Sequence, residues 1–398
     1  MGPTIDLEDL GFDRGASVLV ERALAGVAPG DTLTVRGRDP HLTVHVPAWA
    51  RAHGHVVRTD DGELLLVKGP ADDARWRGAV RAGGPGTQPG PTGIVDRAPA
   101  TWGLAARGAL VEDGGPPLQH ADLDRRDEVW ADIAPKLYAQ ALAGQWDPAA
   151  AVDWTAPLHP DPSVEAAVVQ VMTYLVENEQ AALVVPARFI ARVHPHFREV
   201  VQLLAVQAAD EARHVEVFTR RAELSGGPLG TSGAGGRASL QTLVDEPDFS
   251  LAAFLLSVLG EGTFLDLLSF LERHGPDPVT RRVAHLALAD EARHVAFGVA
   301  HLEHRIRAEP RLRGRLRAAV ERRHDVLAST AGLHAGVYES LVVLAAGAWT
   351  PEAIAAGWDR VQALTAAMDE GRRRRLARLG FPPDEAAELS ALHTRNFM

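Results

Sequence analysis

The residues with the clearest chemical content are two copies of one motif. Asp210-Glu211-Ala212-Arg213-His214-Val215 recurs 80 residues later as Asp290-Glu291-Ala292-Arg293-His294-Val295. On a helix, Glu and His three apart share one face, so Glu211 with His214 and Glu291 with His294 can each grip one side of a metal pair. A single Glu-x-x-His is common on solvated helices. Two identical copies on two long, apolar helices point to a dimetal site, which also needs one Glu from each of two further helices.

Hairpin arithmetic selects those two. Glu261, in Leu259-Gly260-Glu261-Gly262-Thr263, lies 15 residues before Pro276 of the turn Gly275-Pro276-Asp277-Pro278, and Glu291 lies 15 after it. Equal arms of an antiparallel hairpin bring the two carboxylates to one height. In Val176-Glu177-Asn178-Glu179-Gln180, Glu179 stands 16 residues before Pro195 of the turn His194-Pro195-His196, and Glu211 stands 16 after it. Glu177 would sit about 3 Å further along the helix at ~1.5 Å per residue. Glu179 is therefore the favoured ligand, with Glu177 its alternative. The expected set is Glu179, Glu211, His214, Glu261, Glu291 and His294. A metal-free ion-pair cluster is the competing reading, but burying four carboxylates without a cation is costly. Oxygen and imidazole donors without sulfur favour iron or manganese over zinc or copper. Asp210 and Asp290 are placed to accept from the His of the opposite motif, with Arg213 and Arg293 balancing them; the alternative is a surface ion pair on each helix.

The elements that must hold these residues are long helices. Helical patterning predicts Ser163–Val193, Phe197–Leu224, Ser250–His274 and Val279–Ala308, two hairpins joined by a long crossover that starts in the Gly-rich, flexible run 225–236. Two further helices are expected at Leu312–Gly347 and Pro351–Leu379, with Arg372–Arg375 as the basic last turn of a solvated helix. The tail 393–398 is expected to fray. Ahead of the bundle, residues 1–68 read as a small α/β domain: helices at 16–25 and 46–53, strands at 32–36, 56–58 and 63–68. Residues 69–123 carry the breaker clusters Gly83-Gly84-Pro85-Gly86, Pro89-Gly90-Pro91 and Gly114-Gly115-Pro116-Pro117 and read as a linker or covering segment. Residues 124–398 form the helical domain, with its core at 163–308. The fold class expected is mainly α: a four-helix bundle with extra C-terminal helices behind a small α/β domain.

Composition narrows the chemistry. The 398 residues include no cysteine, which removes disulfides, thiolate nucleophiles, iron–sulfur clusters and zinc–thiolate sites. A net charge of −11 argues against nucleic acid as partner. The acidic start of the chain lacks the pattern of a secretory signal, and no membrane span is expected, so the expected location is the cytoplasm. His194, His196, His301, His304, His324 and His334 read as surface or satisfied core groups.

With the doubled motif in hand, the chain resembles the ferritin-like di-iron carboxylate superfamily, in the branch of ribonucleotide reductase small subunits and bacterial multicomponent monooxygenases, over roughly residues 163–308. The resemblance implies a ferritin-like bundle, two irons (Fe/Mn or Mn/Mn as alternatives) and O2 as co-substrate. It carries the six ligands over to Glu179, Glu211, His214, Glu261, Glu291 and His294. Two departures stand out. The Thr that hydroxylating members place one turn after the third-helix Glu is here Leu265, with Thr263 two residues on. The third His of arylamine N-oxygenases is here Ala287, with His285 on another face. Of the three tyrosines, Tyr174 alone lies near a ligand, where core packing is its expected role. Residues 1–68 separately resemble the small sulfur-carrier fold of the TusA type, through Asp13-Arg14-Gly15, Pro29-Gly30-Asp31-Thr32, Asp39-Pro40 and Pro47-Ala48-Trp49-Ala50-Arg51. The cysteine such carriers need is missing, which implies a packing, dimerisation or docking module.

The function expected is an O2-activating oxidase or oxygenase acting on a small organic substrate, supplied by an external electron donor or reductase because no Gly-x-Gly-x-x-Gly follows a strand. A homodimer fits the same reading. The alternatives are a ferroxidase, iron-storage or manganese-catalase-type protein, and a metal-free helical interaction module.

Overall fold

The computed structural model describes residues 2–70, 76, 78–83, 93–327 and 335–394. His334 and residues 395–398 of the tail lie outside them, as do Gly84, Pro85 and Gly86 of the first Gly/Pro cluster and all of the second. The chain divides into two compact units, Met1–Gly93 with Ala105–Pro116, and Ile94–Leu104 with Pro117–Met398.

The first unit runs β1 (Thr4–Asp6), α1 (Ala16–Ala25), β2 (Thr32–Arg36), α2 (Leu42–Ala52), β3 (Val56–Asp60) and β4 (Glu63–Val67), with sheet order β1-β2-β4-β3. Alternation puts Leu33 and Val35 of β2 and Leu64 and Leu66 of β4 into a core with Val20, Leu24 and Val46 of the helices. Asp61 and Gly62 both take positive φ, 48° and 82°, the geometry of a two-residue hairpin turn. Helix α2 starts at Leu42 rather than 46, with Pro47 inside it. The carbonyl that Pro47 leaves without a helical donor belongs to Thr43, which is exposed, so water can serve it. A short ribbon, β5 (Val80–Arg81) with β6 (Leu110–Val111), completes the unit.

The second unit is helical: α3 (Ala134–Ala143), α4 (Pro162–Ile190), α5 (Arg198–Glu223), α6 (Ala234–Val244), α7 (Phe249–His274), α8 (Pro278–Ala308), α9 (Leu312–Leu327), α10 (Ala335–Ala346), α11 (Pro351–Arg378) and α12 (Pro383–Thr394). Helices α4, α5, α7 and α8 make a four-helix bundle of two hairpins. Their starts are written in the sequence. Asp161 caps α4 by accepting from Ser163 N, Asp277 caps α8 by accepting from Thr280 N, and Pro162 and Pro278 follow the caps. At one end of the bundle the buried Arg221 of α5 donates to Glu165 of α4 at 2.6 and 2.9 Å, to Asp277 at 2.8 Å and to Thr280 at 2.8 Å, tying three helices together.

Several expectations need correcting. Helix α7 is not uniform: its middle, Phe254–Glu261, is wound as a π-helix, and periodicity alone does not register the extra residue in each turn. Helix α7 is also long and apolar enough to cross a membrane, contrary to the expectation of no such stretch, but 83% of its apolar window is buried inside the protein. The Gly-rich crossover is pinned to α4, Gly230 N donating to Thr173 Oγ1 at 2.8 Å and Thr231 N to Gln170 Oε1 at 2.9 Å. The Arg372–Arg375 run is solvated only in part. Arg372 is 1% exposed and bonds Ser390 and Thr263, and Arg375 donates to Val258 O, while Arg373 and Arg374 face solvent. The reason is α12, unforeseen in the sequence, which packs on α11 and buries His393.

Candidate metal centre

Four helices each bring one carboxylate to a common level in the bundle. Glu179 comes from α4, Glu211 from α5, Glu261 from the end of the π-helical turn of α7, and Glu291 from α8; all are at most 5% exposed. Glu177 is half-buried and takes no part. Ligand atoms of Glu179, Glu211, His214 and Glu291 lie within 4.8 Å of one another, and so do those of Glu211, Glu261, Glu291 and His294. Glu211 and Glu291 belong to both groups. Two adjacent cation positions sharing a pair of carboxylates are what a dimetal centre requires.

The imidazoles face the cluster through one nitrogen each. His214 Nδ1 lies 3.2 Å from Glu211, 3.3 Å from Glu291 and 3.5 Å from Glu179. His294 Nδ1 lies 3.0 Å from Glu211 and 3.4 Å from Glu291. The opposite nitrogens reach the aspartates across the repeat: His214 Nε2 to Asp290 at 3.1 Å and His294 Nε2 to Asp210 at 3.3 Å. An imidazole that donates Nε2–H to a carboxylate keeps the Nδ1 lone pair free for a cation. The arginines sit behind. Arg213 Nη2 donates to Asp210 at 2.5 Å and to Asp290 at 2.9 Å, and Arg293 Nη2 pairs with both aspartates from the other side.

Three residues at this level carried no signal in the motif. Gln145 donates to Asp210 at 3.0 Å and accepts from Arg213 at 2.6 Å. Trp146 Nε1 donates to Asp290 at 2.8 Å, and its ring lies under the Arg213 guanidinium. Gln207 donates to Glu261 Oε1 at 3.0 Å. Its place one turn before Glu211 is the single cue the sequence offered.

The electrostatics call for cations. Burial, with the charge of Glu291 next, pushes Glu179 and Glu261 well above the usual carboxylate range. Burial raises Glu211 too, but the imidazoles of His294 and His214 outweigh it and hold it below that range. Burial alone would lower His214, yet Asp290, Glu179, Glu211 and Glu291 together raise it well above the ordinary imidazole value. Glu179 Oε1, Glu211 Oε1, Glu261 Oε2, both oxygens of Glu291 and His294 Nδ1 are buried and make no well-formed hydrogen bond among the described residues. Leaving one such group unsatisfied costs about 1–3 kcal/mol, so six converging acceptors fit a pair of divalent cations.

Beside the cluster is a cavity of ≈ 30 Å³, lined by Asn178, Glu179 and Ala182 of α4, Leu240 and Leu243 of α6, Leu256, Gly260, Glu261 and Phe264 of α7, and Glu291. It is large enough for about two water-sized groups. Tyr174 stacks on Phe264 with centroids 6.0 Å apart, in a packing position.

No protein-family model matches the chain, and no curated protein matches it in sequence. Solved structures with a similar chain path include forms of an R2-like ligand-binding oxidase. A mutant with anaerobically reconstituted Mn/Fe cofactor is 21% identical, with 62% of this chain and 92% of that chain covered and a TM-score of 0.45. A mutant with aerobically reconstituted Mn/Fe cofactor is 20% identical over the same shares, with a TM-score of 0.44. The form with aerobically reconstituted metal cofactor after photoconversion is 18% identical over 64% and 92%, with a TM-score of 0.41.

Proposed function

We propose that this protein is an O2-dependent oxidoreductase of the non-haem di-iron type, with Fe/Mn as the alternative metal pair, acting on a small organic substrate. The observation that carries the proposal is the pair of overlapping Glu/His groups that share Glu211 and Glu291 and converge their unpartnered buried atoms on one space. One ion would be held by Glu179 and His214, the other by Glu261 and His294, with Glu211 and Glu291 common to both. When bound, such a metal pair supplies redox chemistry toward O2 that no side chain can provide.

The chain's own part is positioning and exclusion. Asp210 and Asp290 accept the Nε2 protons and hold both imidazoles in the tautomer that presents Nδ1. Against burial, His294 holds Asp210 and His214 holds Asp290 ionised, with Arg213 adding to the latter, and Trp146 and Gln145 fix the orientation of the two carboxylates. Leu240, Leu243, Leu256 and Phe264 keep the adjoining cavity apolar, so bulk water is held away from the reacting space. Asn178, whose Nδ2 donates to Tyr174 O, presents a polar group on that wall. With no cysteine in the chain, electrons would come from a separate donor.

Anaerobic loading with Fe(II) followed by O2 exposure tests the proposal. Stoichiometric O2 consumption that changes on adding candidate small molecules supports it. Turnover of ferrous ion or of peroxide alone would replace it with the ferroxidase or catalase alternative.

A further inference from the structure

The two motifs are an internal repeat, but their surroundings are not equivalent. Four residues before Glu211 stands Gln207, 3% exposed, whose Nε2 donates to Glu261 Oε1 at 3.0 Å. Four residues before Glu291 stands Ala287, fully buried and without a polar atom to offer. Ser257, one turn before Glu261, adds a hydroxyl donor toward the same carboxylate. Gly298 of α8 makes room for it: a Cβ at 298 would lie 2.3 Å from Ser257 Cβ. Glu261 is thus held by its Oε1, with Oε2 left unpartnered toward Glu211, Glu291 and His294. Across the cluster, Glu179 has no amide or hydroxyl donor among the described residues. Its Oε1 is unpartnered and its Oε2 lies 3.5 Å from His214 Nδ1.

We infer that Gln207 is a positioning residue that breaks the symmetry of the centre: it fixes Glu261 to offer one oxygen to the ion beside His294, while Glu179, beside His214, keeps both oxygens and its freedom to rotate. This rests on the proposed dimetal reading and adds to it that the two positions differ in rigidity, because Gln faces one side and Ala the other. The physical reason is preorganisation. A carboxylate already held by donors loses little freedom when it binds a cation, and removing such a hydrogen bond typically weakens metal binding about 10–100-fold.

The test is a double-mutant cycle on the full-length apo-protein, with Mn(II) as probe and free Mn(II) read by electron paramagnetic resonance. In a His214→Ala background, which leaves the position beside His294, Gln207→Met should weaken Mn(II) binding about 10–100-fold. In a His294→Ala background, which leaves the position beside Glu179, it should change binding less than about threefold. Ser257→Ala should give a smaller loss confined to the same background, which keeps the test decisive if Gln207→Met does not fold. Equal losses in both backgrounds, or none in either, would overturn the assignment. A wild-type protein that takes up neither Mn(II) nor Fe(II) would instead sink the dimetal reading, so the two failures are distinct.

Discussion

Replacing Glu179 by Gln keeps the shape of the side chain and removes the charge that would help hold the ion beside His214. Glu177→Gln, two residues away on the same helix, is the control, because Glu177 takes no part in the cluster. The size of the effect follows from linkage. An ion present at about 100 times its dissociation constant stabilises the fold by about 2.7 kcal/mol, so two ions give about 5 kcal/mol. At about 2 °C per kcal/mol, suited to a large helical unit, wild-type protein should gain about 10 °C in Tm on loading with Fe(II) or Mn(II). Glu179→Gln should gain about half of that, and Glu177→Gln all of it. Without metal, Glu179→Gln should be at least as stable as wild type, since four buried carboxylates repel one another. The assay is differential scanning calorimetry of apo and loaded protein, with metal content measured on the same samples. Full metal-induced stabilisation in Glu179→Gln, or its loss in Glu177→Gln, would refute the choice of ligand on α4.

Arg221→Met leaves Glu165 and Asp277 as buried charges without their partner, so it should cost about 3–5 kcal/mol while leaving metal stoichiometry intact; an unchanged denaturation midpoint would contradict the clamp. Gly298→Ala places a methyl against Ser257 and should cost about 1–3 kcal/mol by overpacking, checked by Tm, with no loss of stability counting against the close approach of α7 and α8. His301 lies between Ser250 Oγ at 3.1 Å and Trp130 O at 3.3 Å, and burial pushes its pKa down to about 3. The unfolded chain therefore binds the proton first as pH falls. The stability His301 contributes is complete above about pH 6.5 and is lost as pH falls toward 3. His301→Gln should consequently lose less stability than wild type in urea titrations compared at about pH 7.5 and about pH 4.5; equal losses would mean that His301 is not held neutral.

The level of the carboxylates was legible because helices convert residue counts into height. Sixteen-residue arms about Pro195 and fifteen-residue arms about Pro276 brought the chosen glutamates together, and the π-helical turn did not spoil the count because it lies on the far side of Glu261 from the turn. The cross-repeat pairing of the imidazoles with Asp290 and Asp210 was legible for the same reason, since residues 210 and 290 recur at one register. What a count along one helix does not carry is contact between segments remote in sequence. Trp146 reaches Asp290 across 144 residues and Gln207 reaches Glu261 across 54. The run Arg372–Arg375 looked solvated because nothing in its own turn reveals that α12 covers Arg372 or that Val258 O, in the π-helical turn, accepts from Arg375. The first unit followed its alternation except at β1, Thr4–Asp6, which the sequence reading did not include, and at Pro47, where an exposed carbonyl lets the helix continue through proline; its sulfur-carrier likeness stands on the sequence alone.

The central claim is that Glu211 and Glu291 are shared between two ions. Anomalous diffraction from crystals of protein loaded with Fe(II) or Mn(II), together with metal analysis of the same preparation, tests it most directly. The account predicts two anomalous peaks per chain, one beside His214 and one beside His294, with Glu211 and Glu291 between them. One peak, or well under two metals per chain after supplementation with both iron and manganese, would contradict it.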